Sequence, residues 1–333
     1  MIKKKAALVL NPTSAEQIYG LAEMEQIREL TDLREGVVTS RDVEERPEIL
    51  HDVELIFSGW GAPVFDAKTL AAAPRLEAIF YGAGSIKAIT PPEFWDQNIP
   101  ITSSWWANAV PVAEFTEALI VLSLKKFWFS SRNYRSPTAT NRGNPRGAYG
   151  AKIGLVSLGM IGRMMAERLK AHDVEVLAYD PFISQEKADS LKLGVRLVSL
   201  ETLFAECLVV SLHAPNLPST RGLITGALLG SMMPDATFIN TARGAVVDEP
   251  GLLATLQQRP DLFAVLDVTD PEPPVEGSPL YTLPNVVLTP HIAGSLGDEC
   301  HRMGQVAIEQ CRKYLAGEEM EWRVTRKMAE LMA

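Results

Sequence analysis

The amino-acid sequence predicts an α/β protein of two successive units, each with a doubly wound parallel sheet. Three observations predict it. Short apolar runs alternate with helical stretches almost throughout, which implies parallel sheets covered by helices on both faces. The alternation breaks once, at an apolar helix followed by a stretch rich in Pro, Gly, Asn and Arg at 136–149. It restarts at Lys152 with a strand, a glycine turn and a helix, the opening of a dinucleotide-binding unit. A chain of 333 residues is long enough for two such domains.

In the first unit, strands are expected at 6–10, 55–58, 76–82 and 101–103, with helices at 21–30 and 65–72. A long helix follows from Pro111 to about Trp128, where Val112, Phe115, Leu119, Leu122 and Phe127 recur at helical steps. The stretch 136–149 has no periodicity and reads either as a solvated linker or as an arm that reaches a second subunit. Strands of the second unit are expected at 153–158, 175–179, 196–198, 208–212, 237–241, 263–268 and 286–288. A last helix, 297–316, gathers Met303, Ala307, Cys311 and Tyr314 on one apolar face.

Composition narrows the function classes. The formal net charge is −9 and no basic stripe is visible, so nucleic acid is not an expected partner. Lys3-Lys4-Lys5 precedes a short apolar run that Asn11-Pro12 stops, too short for a signal-peptide core. No apolar run is read as reaching the roughly 20 residues of a membrane span, and the expectation is a cytoplasmic protein without a membrane partner. The three cysteines, Cys207, Cys300 and Cys311, form no CxxC pair, so neither a metal site nor a redox pair is expected.

The cofactor site is the most patterned part. Residues 153–162 read as a strand turning into a helix, with Ser157-Leu158-Gly159-Met160-Ile161-Gly162 at the turn. Gly159 would let the backbone approach a pyrophosphate, Gly162 would let the helix pack on the sheet, and the helix N-terminus would present free N–H groups. Ser157 stands where the first glycine of G-x-G-x-x-G belongs. Asp180, after the next strand, suits the adenosine ribose hydroxyls and favours NAD over NADP, because a carboxylate repels a 2′-phosphate.

Three further strand ends carry polar chemistry: Asn240-Thr241-Ala242-Arg243-Gly244, Asp267 to Pro273 around Glu272, and Pro290-His291-Ile292-Ala293-Gly294. Ligands of open α/β sheets bind outside the carboxyl ends of the strands. Reducing a 2-keto acid needs a hydride on carbon and a proton on oxygen. His291 can supply the proton, Glu272 can orient the ring and favour its charged form, and Arg243 can grip the carboxylate and polarise the carbonyl. Taken singly, each residue has an ordinary structural role as well; their joint placement behind a dinucleotide turn points to an active site.

These residues resemble the D-isomer-specific 2-hydroxyacid dehydrogenase family, through SLGMIG with Asp180, SLHAPN at 211–216, NTARG at 240–244, DPEP around Glu272 and PHIAG at 290–294. The resemblance implies a Rossmann-type NAD-binding domain, 119–296, inserted into a flavodoxin-like substrate domain made of 1–118 and 297–333. It implies a homodimer acting on a small 2-keto or 2-hydroxy acid in a cleft between the domains. It also implies that Met160, Ile161, His213, Ala214, Pro215, Thr241, Ala242, His291 and Gly294 line the NAD. Asp267 would hold the nicotinamide amide, and Ala83-Gly84-Ser85 would offer backbone N–H groups to the substrate carboxylate. Met160 departs from the basic residue that many members carry there. Trp105-Trp106 reads as packing in preference to an aromatic wall limiting substrate size. A non-enzymatic NAD(H)-sensing or corepressor-like protein on the same scaffold is the competing reading.

Overall fold

A computed structural model describes residues 2–136 and 145–332. The chain divides into two compact units, 1–109 with 295–333, and 110–294.

The first unit holds five strands: β1 (Lys5–Val9), β2 (Asp32–Val38), β3 (Leu55–Ser58), β4 (Ala78–Tyr81) and β5 (Ile101–Ser103). All pair in parallel in the order β2-β1-β3-β4-β5, the doubly wound order of flavodoxin-like sheets. β3 and β4 are buried at every position, which is why their sequences are continuous apolar runs and do not alternate. β2 escaped the sequence reading because most of its residues are solvent-facing and several are charged; pairing with β1 makes it a strand, and its own pattern does not.

The free side of β5 is covered from a distance. Residues 322–324 run beside it, with Ser103 N–H donating to Trp322 O (3.1 Å), Val324 N–H to Ile101 O (2.9 Å) and an antiparallel bridge between Thr102 and Arg323. Trp322 stacks on Trp106 (ring centroids 5.8 Å, 18°) and meets Trp105 edge-on (6.4 Å). Packing is therefore a real role of the Trp105-Trp106 pair.

The second unit holds β6 (Ala151–Val156), β7 (Val174–Tyr179), β8 (Val195–Leu197), β9 (Val209–Leu212), β10 (Thr237–Asn240), β11 (Phe263–Leu266) and β12 (Val286–Leu288). They are parallel in the order β12-β11-β10-β9-β6-β7-β8, the Rossmann order with one strand added. The strand order reverses between β6 and β9, so the crevice for a ligand opens at the ends of those two strands.

Two expectations are corrected. The long helix runs Trp105–Leu124 with Pro111 inside it, and a separate helix, Phe127–Asn133, follows. The helix Trp105–Leu124 is long and apolar enough, by length and composition, to cross a membrane, contrary to the expected lack of such a run. Its apolar side chains have protein partners, however: Ala107 packs in the first unit's core, and Ala113, Leu119, Ile120 and Leu124 in the second's. Glu114 and Glu117 on it pair with Arg168. The two compact units divide within this helix, between 109 and 110. The loop expected at 136–149 lies largely outside the described residues. Cys207, Cys300 and Cys311 are buried free thiols.

Candidate active site

The dinucleotide turn connects β6 to the helix Met160–Leu169, with Gly159 as its N-cap residue. A Cβ on Gly162 would sit 2.1 Å from Ser157 O, whereas one on Gly159 would meet nothing within 4 Å. Gly162 is thus demanded by helix-to-turn packing, and Gly159 leaves open space of the kind that close approach of a pyrophosphate requires. Ser157 takes φ +80°, the left-handed region that a side chain disfavours. Its N–H still donates to Tyr179 O (2.7 Å). Met160 and Ile161 are half-buried in the first helical turn. The cation of this segment is Arg163, whose Nε donates to Leu158 O (2.8 Å).

Asp180 is built into this turn. Its Oδ2 accepts from Leu158 N–H (2.8 Å) and Oδ1 from Phe182 N–H (2.8 Å), with Ser157 Oγ at 3.4 Å. Oδ1, with one donor, keeps a lone pair for a ribose hydroxyl.

At the reversal point His213 N–H donates to Val156 O (2.9 Å), which sets the residue against the turn. Its ring is buried, Nε2 has no partner among the described residues, and burial pushes its pKa down to about 4. An orphaned polar atom where a dinucleotide would cross is the observation by which these residues fit NAD. Ala214 is buried and Pro215 half-buried beside it. Thr220 closes this loop: its Oγ1 donates to Pro215 O (2.5 Å) and accepts from Leu217 N–H (2.9 Å).

The next three strand ends are held by side chains whose importance no local pattern announced. Asn240 Oδ1 accepts from Ala242 N–H (3.0 Å) and Nδ2 donates to Arg243 O (3.1 Å), so one amide fixes the loop that carries Arg243. Thr241 Oγ1 lies 2.9 Å from Thr116 Oγ1 in a buried pair. Gly244 must be glycine, since a Cβ there would be 2.0 Å from the carbonyl carbon of Thr269. Burial lowers the Arg243 pKa, and the Glu272 charge opposes that shift; the guanidinium stays charged.

Asp267 is 1% exposed and occupied by three donors. Thr289 Oγ1 (2.6 Å) and Ile292 N–H (2.8 Å) give to Oδ1, and Ala293 N–H (2.9 Å) gives to Oδ2. Its own backbone carbonyl accepts from His291 N–H (2.9 Å). The carboxylate therefore fixes the loop that presents His291, a role the sequence did not suggest. His291 has φ +54°, a conformation histidine tolerates better than most side chains. Its Nδ1 lies 2.6 Å from Glu272 Oε1, and both side chains are exposed. Gly294 closes the loop, half-buried.

The structure thus brings Glu272 to His291, Asp180 to the turn and Asp267 to the histidine loop, all in the second unit. The expected carboxylate loop, Ala83-Gly84-Ser85, belongs to the first unit. Ser103 Oγ donates to the carbonyls of Ala83 (3.0 Å) and Gly84 (2.5 Å), which holds the loop by its carbonyl side. Ser295 N–H donates to Asn108 Oδ1 (3.0 Å), and the Nδ2 of that amide lies 3.5 Å from the Cβ position of Gly84.

Comparison with known proteins identifies the family. Residues 118–293, over half of the chain, match the model of the D-isomer specific 2-hydroxyacid dehydrogenase, NAD binding domain. The chain belongs to that family, and its second unit carries the family's NAD-binding domain. It is 32% identical over 259 residues to D-3-phosphoglycerate dehydrogenase of Mycobacterium bovis, covering 77% of this chain and 48% of that protein. It is 32% identical over 253 residues to (S)-sulfolactate dehydrogenase of Chromohalobacter salexigens, covering 75% and 81%. The chain spans about half the length of the phosphoglycerate dehydrogenases it matches. The fold matches that of Rhodotorula graminis D-mandelate dehydrogenase with TM-score 0.82 at 21% identity, over 97% of this chain and 98% of that one.

Proposed function

We propose that the chain reduces a small 2-keto acid to the D-2-hydroxy acid with NADH, and runs the reverse reaction, through Arg243, Glu272 and His291. The observation that carries this reading is the 2.6 Å pair between His291 Nδ1 and Glu272 Oε1, on two loops at the C-terminal edge of the dinucleotide-binding sheet. A carboxylate on Nδ1 fixes the ring and leaves Nε2 as the atom that gives and takes the proton of the substrate oxygen. NADH, when bound, supplies the hydride. Arg243 binds the substrate carboxylate and polarises the carbonyl. In the first unit, the N–H groups of the Ala83-Gly84-Ser85 loop are the partners proposed for a substrate carboxylate. Gly159, Gly162 and the helix N-terminus hold the pyrophosphate, and Asp180 the adenosine ribose. The proposal includes a homodimer: Phe127, Tyr134 and Tyr149 expose aromatic rings of the kind that association covers.

The test is NADH oxidation by the purified protein across a panel of 2-keto acids, repeated with NADPH. Turnover with a keto acid, at least tenfold more efficient with NADH, is expected. Tight NADH binding without turnover of any panel member would overturn the reductase reading in favour of a sensor.

A further inference from the structure

The first unit's C-terminal sheet edge has a chemistry that narrows the substrate. Ser58 of β3 pairs with Tyr81 of β4, and Tyr81 with Ser103 of β5. The chain keeps that alignment past the strands, with Gly82 N–H donating to Ser58 O (2.8 Å) and Ser104 N–H to Tyr81 O (3.0 Å). One residue further along each chain come Trp60, Ala83 and Trp105, with Ala83 the start of the expected carboxylate loop. Trp105 is tied to that loop directly: its N–H donates to Ser103 Oγ (3.3 Å), the hydroxyl that reaches the Ala83 and Gly84 carbonyls. The Trp105 Nε1 is buried with no partner among the described residues. Trp60 is half-buried and packs against the apolar clusters on both faces of the sheet. Tyr81, the last residue of β4, is 5% exposed.

Charge is scarce along the same edge. The segments that follow the five strands, 10–11, 39, 59–66, 82–91 and 104, hold a single cation, the exposed Lys87. Backbone N–H groups can neutralise one carboxylate there. Within this unit a second anion would have to shed its water beside Trp60 and Trp105 with no guanidinium on these segments to receive it, and a desolvated unpaired charge is strongly disfavoured. An apolar substituent gains by covering those rings.

We infer that the substrate is a 2-keto acid whose only charge is its carboxylate and whose carbon-3 substituent is apolar, and that a phosphate or sulfonate at that carbon is rejected. The inference rests on the reductase reading. It sets this chain apart from the phosphoglycerate and sulfolactate dehydrogenases it matches, whose named substrates carry a second anion.

The experiment compares kcat/KM with NADH for pyruvate, 4-methyl-2-oxopentanoate and phenylpyruvate against 3-phosphohydroxypyruvate and 3-sulfopyruvate. The best uncharged-tail substrate is expected to exceed either dianion at least 50-fold. A smaller ratio, or a preference for a dianion, overturns the inference and leaves the reductase reading standing. A second arm titrates 4-methyl-2-oxopentanoate and 3-phosphohydroxypyruvate into the protein saturated with NAD+, which cannot reduce a keto acid, and follows intrinsic tryptophan fluorescence. A saturable change with the first alone, reduced in Trp105→Phe, is expected. If that change occurs with no keto acid turned over, the specificity stands and the reductase reading falls. Equal affinity for both ligands, or binding of neither, overturns the inference.

Discussion

At the C-terminal edge of the seven-stranded sheet the loops carry Asp180, His213, Arg243, Glu272 and His291. At the corresponding edge of the five-stranded sheet they carry Trp60, Trp105 and one cation, Lys87. Both edges arise from the same strand-loop-helix wiring, which delivers every loop to one side of its sheet. They are held in place differently. The polar edge needs built-in fasteners: the Asn240 amide under Arg243, the Asp267 carboxylate under the histidine loop and Thr220 in the loop after His213. The other edge is held largely by packing, indole on indole, against residues 322–324. Wiring supplies adjacency; the side chains at the strand ends decide what each edge can do.

The widest separation between the two edges is expected from His291→Ala. Loss of the proton donor should lower kcat about 10³-fold, while the NADH Kd, read from fluorescence titration, stays within about threefold; near-wild-type turnover would remove chemistry from the polar edge. On the other edge, Trp322→Ala should cost about 2–3 kcal/mol of stability, because it removes the ring that stacks on Trp106 and meets Trp105. A denaturant midpoint unchanged by this variant would show that packing does not hold that edge.

Next in size is a pH effect at His213. Burial places its folded pKa near 4, below the ~6.5 of an exposed histidine. Between those values the unfolded chain binds a proton that the folded chain refuses. Stability from this group is therefore full above pH ~6.5 and falls as the pH drops toward 4, by about 1.4 kcal/mol per unit. Going from pH 7 to pH 5, His213→Asn should lose about 2 kcal/mol less stability than the wild type; equal losses would place the ring in solvent. The smallest effect is expected from Ser157→Gly, which relieves the φ of +80° and should raise stability by about 0.5–1 kcal/mol in the same assay.

How much of this was legible depended on how local each feature is. β3, β5, β12 and the helix Leu21–Leu30 coincide with their expected bounds, because burial or amphipathic spacing is written into their own residues. The helix Trp105–Leu124 was expected to begin at Pro111, since proline normally marks a first turn. Here Trp105 and Trp106 extend it backwards by packing against Trp322, more than 200 residues away. In the candidate site, the residues named from the sequence were those with conspicuous chemistry at strand ends. The fastening role of Asp267 was invisible for a simple reason: its partners lie between 22 and 26 residues further along the chain, whereas Asn240 and Thr220 hold partners within five residues of themselves. Ser157 was legible as a departure, and the structure adds its consequence, a serine in a backbone conformation that glycine would occupy at less cost.

The pairing of 322–324 beside β5 fixes an order of events during synthesis. A ribosome delivers 110–294 between the two halves of the first unit. The second unit therefore has its whole sequence available while β5 still waits for the segment that will cover it. During that interval the first unit presents an open strand edge, the feature most prone to pairing with a neighbouring chain. The nascent protein is thus most vulnerable to self-association after its cofactor domain is complete and before its final helix-and-tail segment emerges.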